Sequence, residues 1–153
     1  MKLSRLLLIL ILVLTLGVIT YFTYPLKIQN ILPISDNIQN IHVTYITNGQ
    51  FFEYNFNNKQ EIIDNKKQLV KILDSTFFRR RVNSFKGGVA DVIMIVIIYK
   101  DKEGNNRSYF IDYRQSGAFM VDKKDYQIYG KTKLTFDKLV EWFKKEGTLL
   151  KAL

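Results

Sequence analysis

Reactive and ligand-binding side chains are sparse in this chain, and most of them fail to combine. The chain of 153 residues has one histidine and no cysteine. A multi-histidine metal cluster and a Cys-His pair are therefore excluded, and nothing assembles a triad around His42, which sits in an alternating stretch and reads as an ordinary strand residue. Asp101-Lys102-Glu103-Gly104-Asn105-Asn106 has the oxygen-rich character of a calcium loop. It lacks the 12-residue ligand register and the closing Glu, and reads as a polar turn. Asp122 and Asp125 flank Lys123-Lys124. Two carboxylates at that spacing would suit glycoside hydrolysis only inside a cleft, and their neighbours here place them in solvent. Asn106-Arg107-Ser108 matches a glycosylation acceptor, a pattern short enough to arise by chance.

One combination remains. Arg79, Arg80, Arg81, Lys86, Arg107 and Arg114 are interleaved with Phe78, Phe85, Tyr109 and Tyr113. Guanidinium forks suit phosphate oxygens and aromatic rings stack on bases or sugars, so these residues form a candidate polyanion-binding or partner-binding face. The competing structural explanation is an edge strand whose arginines discourage unwanted pairing. No cofactor site and no catalytic residue are identified.

Where such a face would act is decided by the first 24 residues. Leu6 to Phe22 is an almost unbroken apolar run behind the basic start Met1-Lys2-Leu3-Ser4-Arg5. A helix from Leu6 to Tyr24 would be roughly 28 Å long, close to the hydrocarbon thickness of a bilayer. Lys2 and Arg5 predict a cytoplasmic N-terminus and an exported remainder. The run exceeds the apolar core of an ordinary signal peptide and no Ala-x-Ala-like site follows it, which favours an uncleaved anchor over a cleaved signal. Lipoprotein attachment is excluded without a cysteine. Tyr21, Phe22 and Tyr24 are placed as an interfacial aromatic belt.

The exported part holds 21 of the 23 basic residues and all 14 acidic ones, a surplus of seven positive charges. Outside the membrane the available polyanions are lipid headgroups, anionic envelope polymers or an acidic protein partner, and nucleic acid is not expected. With no disulfide available, the domain must be stabilised by its core.

The elements that would carry these residues follow from periodicity. Residues 25–39, with both prolines of the chain, read as a linker or stalk whose Ile28, Ile31, Leu32 and Ile34 suggest partial packing. Fully extended, it would reach at most roughly 50 Å. Alternation over Ile41–Ile46 and Phe52–Phe56 around Asn48-Gly49 predicts a β-hairpin with a type I′ turn. A capping box at Asn58 and Glu61 opens a helix to about Ser75. Phe77–Val82 reads as an edge strand. Val89–Tyr99, a β-branched apolar run, reads as a central strand buried on both faces. Ser108–Arg114, Ala118–Val121 and Tyr126–Tyr129 complete a meander. A last helix is capped by Thr135, carries Phe136, Leu139, Val140 and Phe143 on one stripe, and ends with Gly147 at C′. The prediction is an α+β fold in ββα-ββββ-α order: an anchor or signal over 1–24, a linker over 25–39, and a domain over 40–153 with a mainly antiparallel sheet and two helices on one face.

The hairpin at Asn48-Gly49, the helix with LVKIL, the strands around YKDKEGN, the GAFMVDKKDYQIYG hairpin and the closing FDKLVEWFKK helix together resemble an uncharacterised family. Its members are small membrane-anchored or lipid-anchored extracytoplasmic domains of low-GC Gram-positive bacteria, a domain of unknown function. The resemblance implies a location and a fold, and no activity or site residue. The expectation is a non-enzymatic, single-pass membrane protein whose extracytoplasmic domain binds a partner at the envelope. The alternative is a surface immunity or inhibitor protein acting against a secreted toxin or enzyme.

Overall fold

The computed structural model describes residues 2–32, 37–56, 59–81 and 90–152. Helix α1 (Lys2–Thr23) is exposed from Ser4 onward except at the half-buried Phe22, and its Ser4–Thr23 portion is long and apolar enough to cross a membrane or serve as a signal sequence. Its hydroxyls do not break that character. Thr15 and Thr23 donate to the carbonyls of Ile11 and Ile19, 2.8 Å in each case, so the polar hydrogens are satisfied within the helix. Pro25, which has no N–H to donate, follows the last helical turn and ends it.

Beyond α1 the chain forms an α+β unit. A short helix α2 (Ile28–Ile31) leads to the hairpin β1 (Ile38–Thr47) and β2 (Gln50–Phe56), then α3 (Lys59–Asp74) and β3 (Phe77–Arg80). Strands β4 (Val92–Lys100), β5 (Asn106–Arg114), β6 (Ala118–Val121) and β7 (Lys124–Tyr129) follow, then α4 (Thr132–Glu146) and β8 (Thr148–Ala152). The eight strands make one sheet in the order β3-β7-β6-β5-β4-β1-β2-β8, with every pairing antiparallel.

Side-chain alternation divides the sheet into two unlike faces. Ile41, Val43 and Tyr45 of β1 stand opposite Ile97, Ile95 and Ile93 of β4 and opposite Phe56, Tyr54 and Phe52 of β2. On this face α4 lays Phe136 and Phe143 against Tyr45, with ring centroids 6.4 and 5.4 Å apart, and stacks Trp142 on Phe56 at 4.9 Å. Leu69 and Leu73 of α3 join the same core, and Asn65 accepts the Trp142 indole N–H at 3.3 Å, tying the two helices together. Tyr113 of β5 is fully buried beneath the start of α4 and donates to the Thr132 carbonyl at 2.6 Å.

The opposite face is the one where β4 departs from expectation. Ile93, Ile95 and Ile97 are fully buried, but Met94, Val96 and Ile98, which point the other way, are only half-buried. Among the described residues, the rings of α4 and the core side chains of α3 pack on the first face, so the helices cover the apolar run on that side. Other differences are local. Helix α4 begins at Thr132, a turn before Thr135, because the Thr135 hydroxyl donates back to the Lys131 carbonyl at 3.0 Å instead of capping the helix. The residue that closes α4 is Gly147 as expected, but in an extended conformation, and a Cβ there would come within 2.6 Å of the Phe143 carbonyl oxygen. The chain continues from it into β8, a strand not foreseen, which pairs with β2. Asn48 and Gly49 both take positive φ, as a type I′ turn requires. Asp122 and Lys123 do so as well, making the β6–β7 turn two residues long instead of four. The capping box at Asn58 and Glu61 lies outside the described side chains.

The residues read as a stalk are largely inside the domain. Leu26 pairs with the outer edge of β3 through two backbone hydrogen bonds, Leu26 N to Phe78 O at 2.8 Å and Phe78 N to Leu26 O at 2.9 Å. Ile28 and Leu32 are fully buried in the common core. Only Pro33–Asp36 within that stretch fall outside the description. Ile28→Ala in the full chain should therefore lower stability by about 2–5 kcal/mol, as for a core truncation, measured by urea unfolding in detergent with Trp142 fluorescence. A loss within about 0.5 kcal/mol, normal for a surface position, would mean the segment is a stalk after all.

Candidate functional site at the end of the apolar helix

Of the six cations that the sequence groups together, the structure describes five and separates them. In the β3–β7 pairing Arg79 stands opposite Gln127 and Arg80 opposite Tyr126, so the two arginines point to opposite faces. Arg79 lies over the Tyr129 ring, 4.1 Å from its centroid, on the face away from the helices. Gln127 is opposite Ala118 in turn, and one more strand along that row comes Arg114, about 14 Å from Arg79 by the strand spacing. Arg114 is ion-paired at 3.3 Å with Asp112. Arg107 is seven positions away on β5, about 23 Å along the strand. Arg79 and Arg114 thus share a face, Arg80 does not, and Arg107 stands at the far end of the sheet. Lys86 and Phe85 lie outside the described residues.

Arg107 is occupied by a turn. Its Nε donates to Asp101 Oδ2 at 3.1 Å, while Asp101 Oδ1 accepts the backbone N–H of Asn105 at 2.9 Å and of Glu103 at 3.0 Å. These bonds stabilise the ionised carboxylate and hold the Asp101 pKa below its ordinary value, the Asn105 amide contributing most. The calcium-like sequence is therefore a side-chain-locked turn. At the other candidate acid pair, the Asp122 carboxylate accepts the Phe110 N–H at 2.9 Å and so helps to hold the β6–β7 hairpin against β5. Among the described residues no group of three or more His, Asp or Glu side chains is placed to hold a metal.

What the fold does bring together is a second set of cations. Because β7 pairs with β3, the Asp122-Lys123 turn and the start of β7 come beside the end of β3. The ladder continues past Arg80, with Arg81 N donating to Asp125 O at 3.0 Å. Arg80, Arg81, Lys123 and Lys124 then line one open cleft of about 590 Å³, with Asp125 the one carboxylate on its wall among the described residues. The last turns of α1, through Tyr21 and Phe22, and Asn30 and Ile31 of α2 also line it. Arg80 donates to the Tyr21 carbonyl at 3.1 Å and its guanidinium lies over the Tyr21 ring, 4.2 Å from the centroid. Phe22 lines the cleft and packs edge-to-face on Tyr21 at 5.1 Å. Tyr126, the cross-strand partner of Arg80, is also on the wall, and burial raises its pKa, keeping the phenol a neutral donor.

Of the residues in this cleft, Arg80 and Arg81 were singled out from the sequence. Lys123 and Lys124 read there as solvated turn residues, and Tyr21 and Phe22 as a membrane belt. Their convergence depends on the β3–β7 pairing and on Leu26, neither of which leaves a local sequence signal. Arg81 donates from its guanidinium to Gln127 Oε1 at 3.1 Å, as Arg80 does to the Tyr21 carbonyl, so each arginine has one N–H committed. The cleft offers an anionic group their remaining donors and two lysine ammonium groups, beside aromatic side chains.

The assignment of Arg107 to a structural role has a titration signature. The Asp101 carboxyl, followed by side-chain NMR, should titrate below the ordinary value of about 3.9. Its contribution to stability is present above that ordinary value and is lost as pH falls through the lower folded value. Arg107→Gln should move the midpoint only part of the way back, since the Asn105 amide remains; a full return would place the dominant interaction on Arg107.

Comparison with protein-family models, with curated proteins and with solved structures gives no match for this chain.

Proposed function

We propose that the protein is a membrane-anchored, non-enzymatic binding module of the cell envelope. Helix α1 spans the bilayer with its N-terminus in the cytoplasm, and the sheet domain stands outside, held close against the membrane, with its basic cleft turned to an anionic partner. The observation that carries this is the clasp of Arg80 on Tyr21, which joins the cleft directly to the end of the apolar helix. Three further features support it. Lys2 and Arg5 precede the apolar run with no acid among them, the arrangement that retains an N-terminus on the cytoplasmic side. Tyr21 and Tyr24 are exposed at the other end, where amphipathic rings sit at the headgroup level. Among the described residues the cleft concentrates four cations against one carboxylate, a balance that attracts a partner of negative charge.

The native chain has no cysteine, which allows topology to be read with single introduced thiols. In a Gram-positive host, Lys102→Cys should react with a membrane-impermeant maleimide in intact cells, and Ser4→Cys only after lysis, with full-length protein in the membrane fraction. The reverse labelling pattern would invert the topology, and a shortened protein in the medium would show a cleaved signal and overturn the anchored reading.

A further inference from the structure

We infer that the cleft between α1 and the β3–β7 edge is a headgroup site for an anionic phospholipid, taken from the leaflet at the C-terminal end of α1. This rests on the anchored reading above and names the ligand of the same cleft. The inference comes from what lies on either side of the cations. Above, Arg80, Arg81, Lys123 and Lys124 surround the opening, and guanidinium forks with ammonium groups suit the oxygens of a phosphodiester. Below, Tyr21 and Phe22 line the cleft together with Asn30 and Ile31 of α2, and α1 continues from Tyr21 and Phe22 as a bare apolar surface, Val18 and Ile19 being 58% and 52% exposed. A ligand that fills both parts must be charged at one end and apolar at the other. A soluble polyanion would use the upper half alone and leave that apolar surface unused.

The position fits as well as the chemistry. Tyr21 and Phe22 end a helix whose length matches a bilayer, so the cleft sits at the depth of the phosphate layer. Its volume of about 590 Å³ lies within the range of small-molecule sites and holds a glycerophosphate headgroup. Arg80 has a double part. One of its five N–H donors is committed to the Tyr21 carbonyl, which orients the guanidinium on the helix end with its charge at the mouth of the cleft.

Lipid selectivity of the full chain tests this. The protein would be reconstituted in phosphatidylcholine bilayers containing a trace of acyl-chain spin-labelled phosphatidylglycerol or phosphatidylcholine, and the motionally restricted fraction of each measured by electron spin resonance. Phosphatidylglycerol should be favoured by roughly five-fold or more at low salt, the order expected from one well-placed cation at a membrane surface. Arg81→Gln/Lys124→Gln, which leaves the Arg80–Tyr21 clasp intact, should abolish most of the preference. Lys131→Gln/Lys133→Gln removes the same charge from the other end of β7 and should preserve it. Equal losses in the two variants would indicate diffuse charge and overturn the site. Loss of the preference on adding inorganic phosphate would show a site for free phosphate and not for lipid. Binding of soluble poly(glycerol phosphate) without any lipid preference would assign the cleft to an envelope polymer, against the proposal. Absence of lipid selectivity in a chain with the expected thiol-labelling topology overturns the lipid site and leaves the anchored module standing.

Discussion

The structure depends on how the chain re-enters the fold as soon as it leaves the apolar helix. Three attachments act within a few residues of Pro25. Leu26 closes a two-bond bridge onto β3, Lys27 donates to the Asp74 carbonyl at 2.9 Å at the C-terminal end of α3, and Ile28 and Leu32 enter the core. An ammonium at the C-terminus of a helix also meets the negative end of its dipole. Arg80 closes the loop from the domain side by bonding back to Tyr21. With β3 covered at its outer edge by Leu26 and clasped to the helix by Arg80, the β3–β7 margin of the sheet is the part of the domain that adjoins α1. Everything proposed about the cleft follows from that placement.

The rest of the sheet is joined to that margin through the core. A chain without cysteine has to rely on packing, and here aromatic rings link the aliphatic core across the sheet. Tyr45 touches Phe52, Phe136 and Phe143, and Tyr113 touches Phe119 and Phe136. The chain of contacts reaches the β3–β7 margin through Phe78, fully buried and 4.8 Å from Phe119. Phe78 is flanked in sequence by the residues that face outward, Phe77 and Arg79, and is bonded through its own backbone to Leu26. The strand that carries the cations is thus anchored in the core by the Phe78 side chain and to the segment that follows α1 by its main chain.

Much of this architecture was legible in the sequence where the signal was local. Asn48-Gly49 between alternating runs specifies a hairpin because both residues tolerate positive φ, and the structure has that turn. The alternating arginines after Phe78 marked an edge strand, and β3 is one. The signals failed where a non-local partner decides. Asp122-Lys123 adopts the same positive-φ turn without glycine because the β6–β7 register and the Phe110 amide on Asp122 hold it there. Thr135 has the type of a cap but is buried inside the first turn of α4. Thr148–Ala152 has no alternation of its own and becomes a strand by pairing with β2. Val92–Lys100 looked covered on both faces because a β-branched run carries the same pattern whether or not its second face is packed. The candidate site suffered most, since proximity in sequence stood in for proximity in space: Arg107 and Arg114 were grouped with Arg79–Arg81, while Lys123 and Lys124, neighbours only through the β3–β7 ladder, were not.

The most direct test is the height of the domain above the bilayer. Neutron reflectometry of the full chain in a supported bilayer resolves whether a water layer separates the headgroups from the folded domain. Fastening at Leu26, Lys27 and Arg80 predicts protein density beginning at the headgroup layer with no intervening water. A hydrated gap, up to the roughly 50 Å that an extended segment of 15 residues could span, would contradict the clasp and with it the placement of the cleft at the membrane.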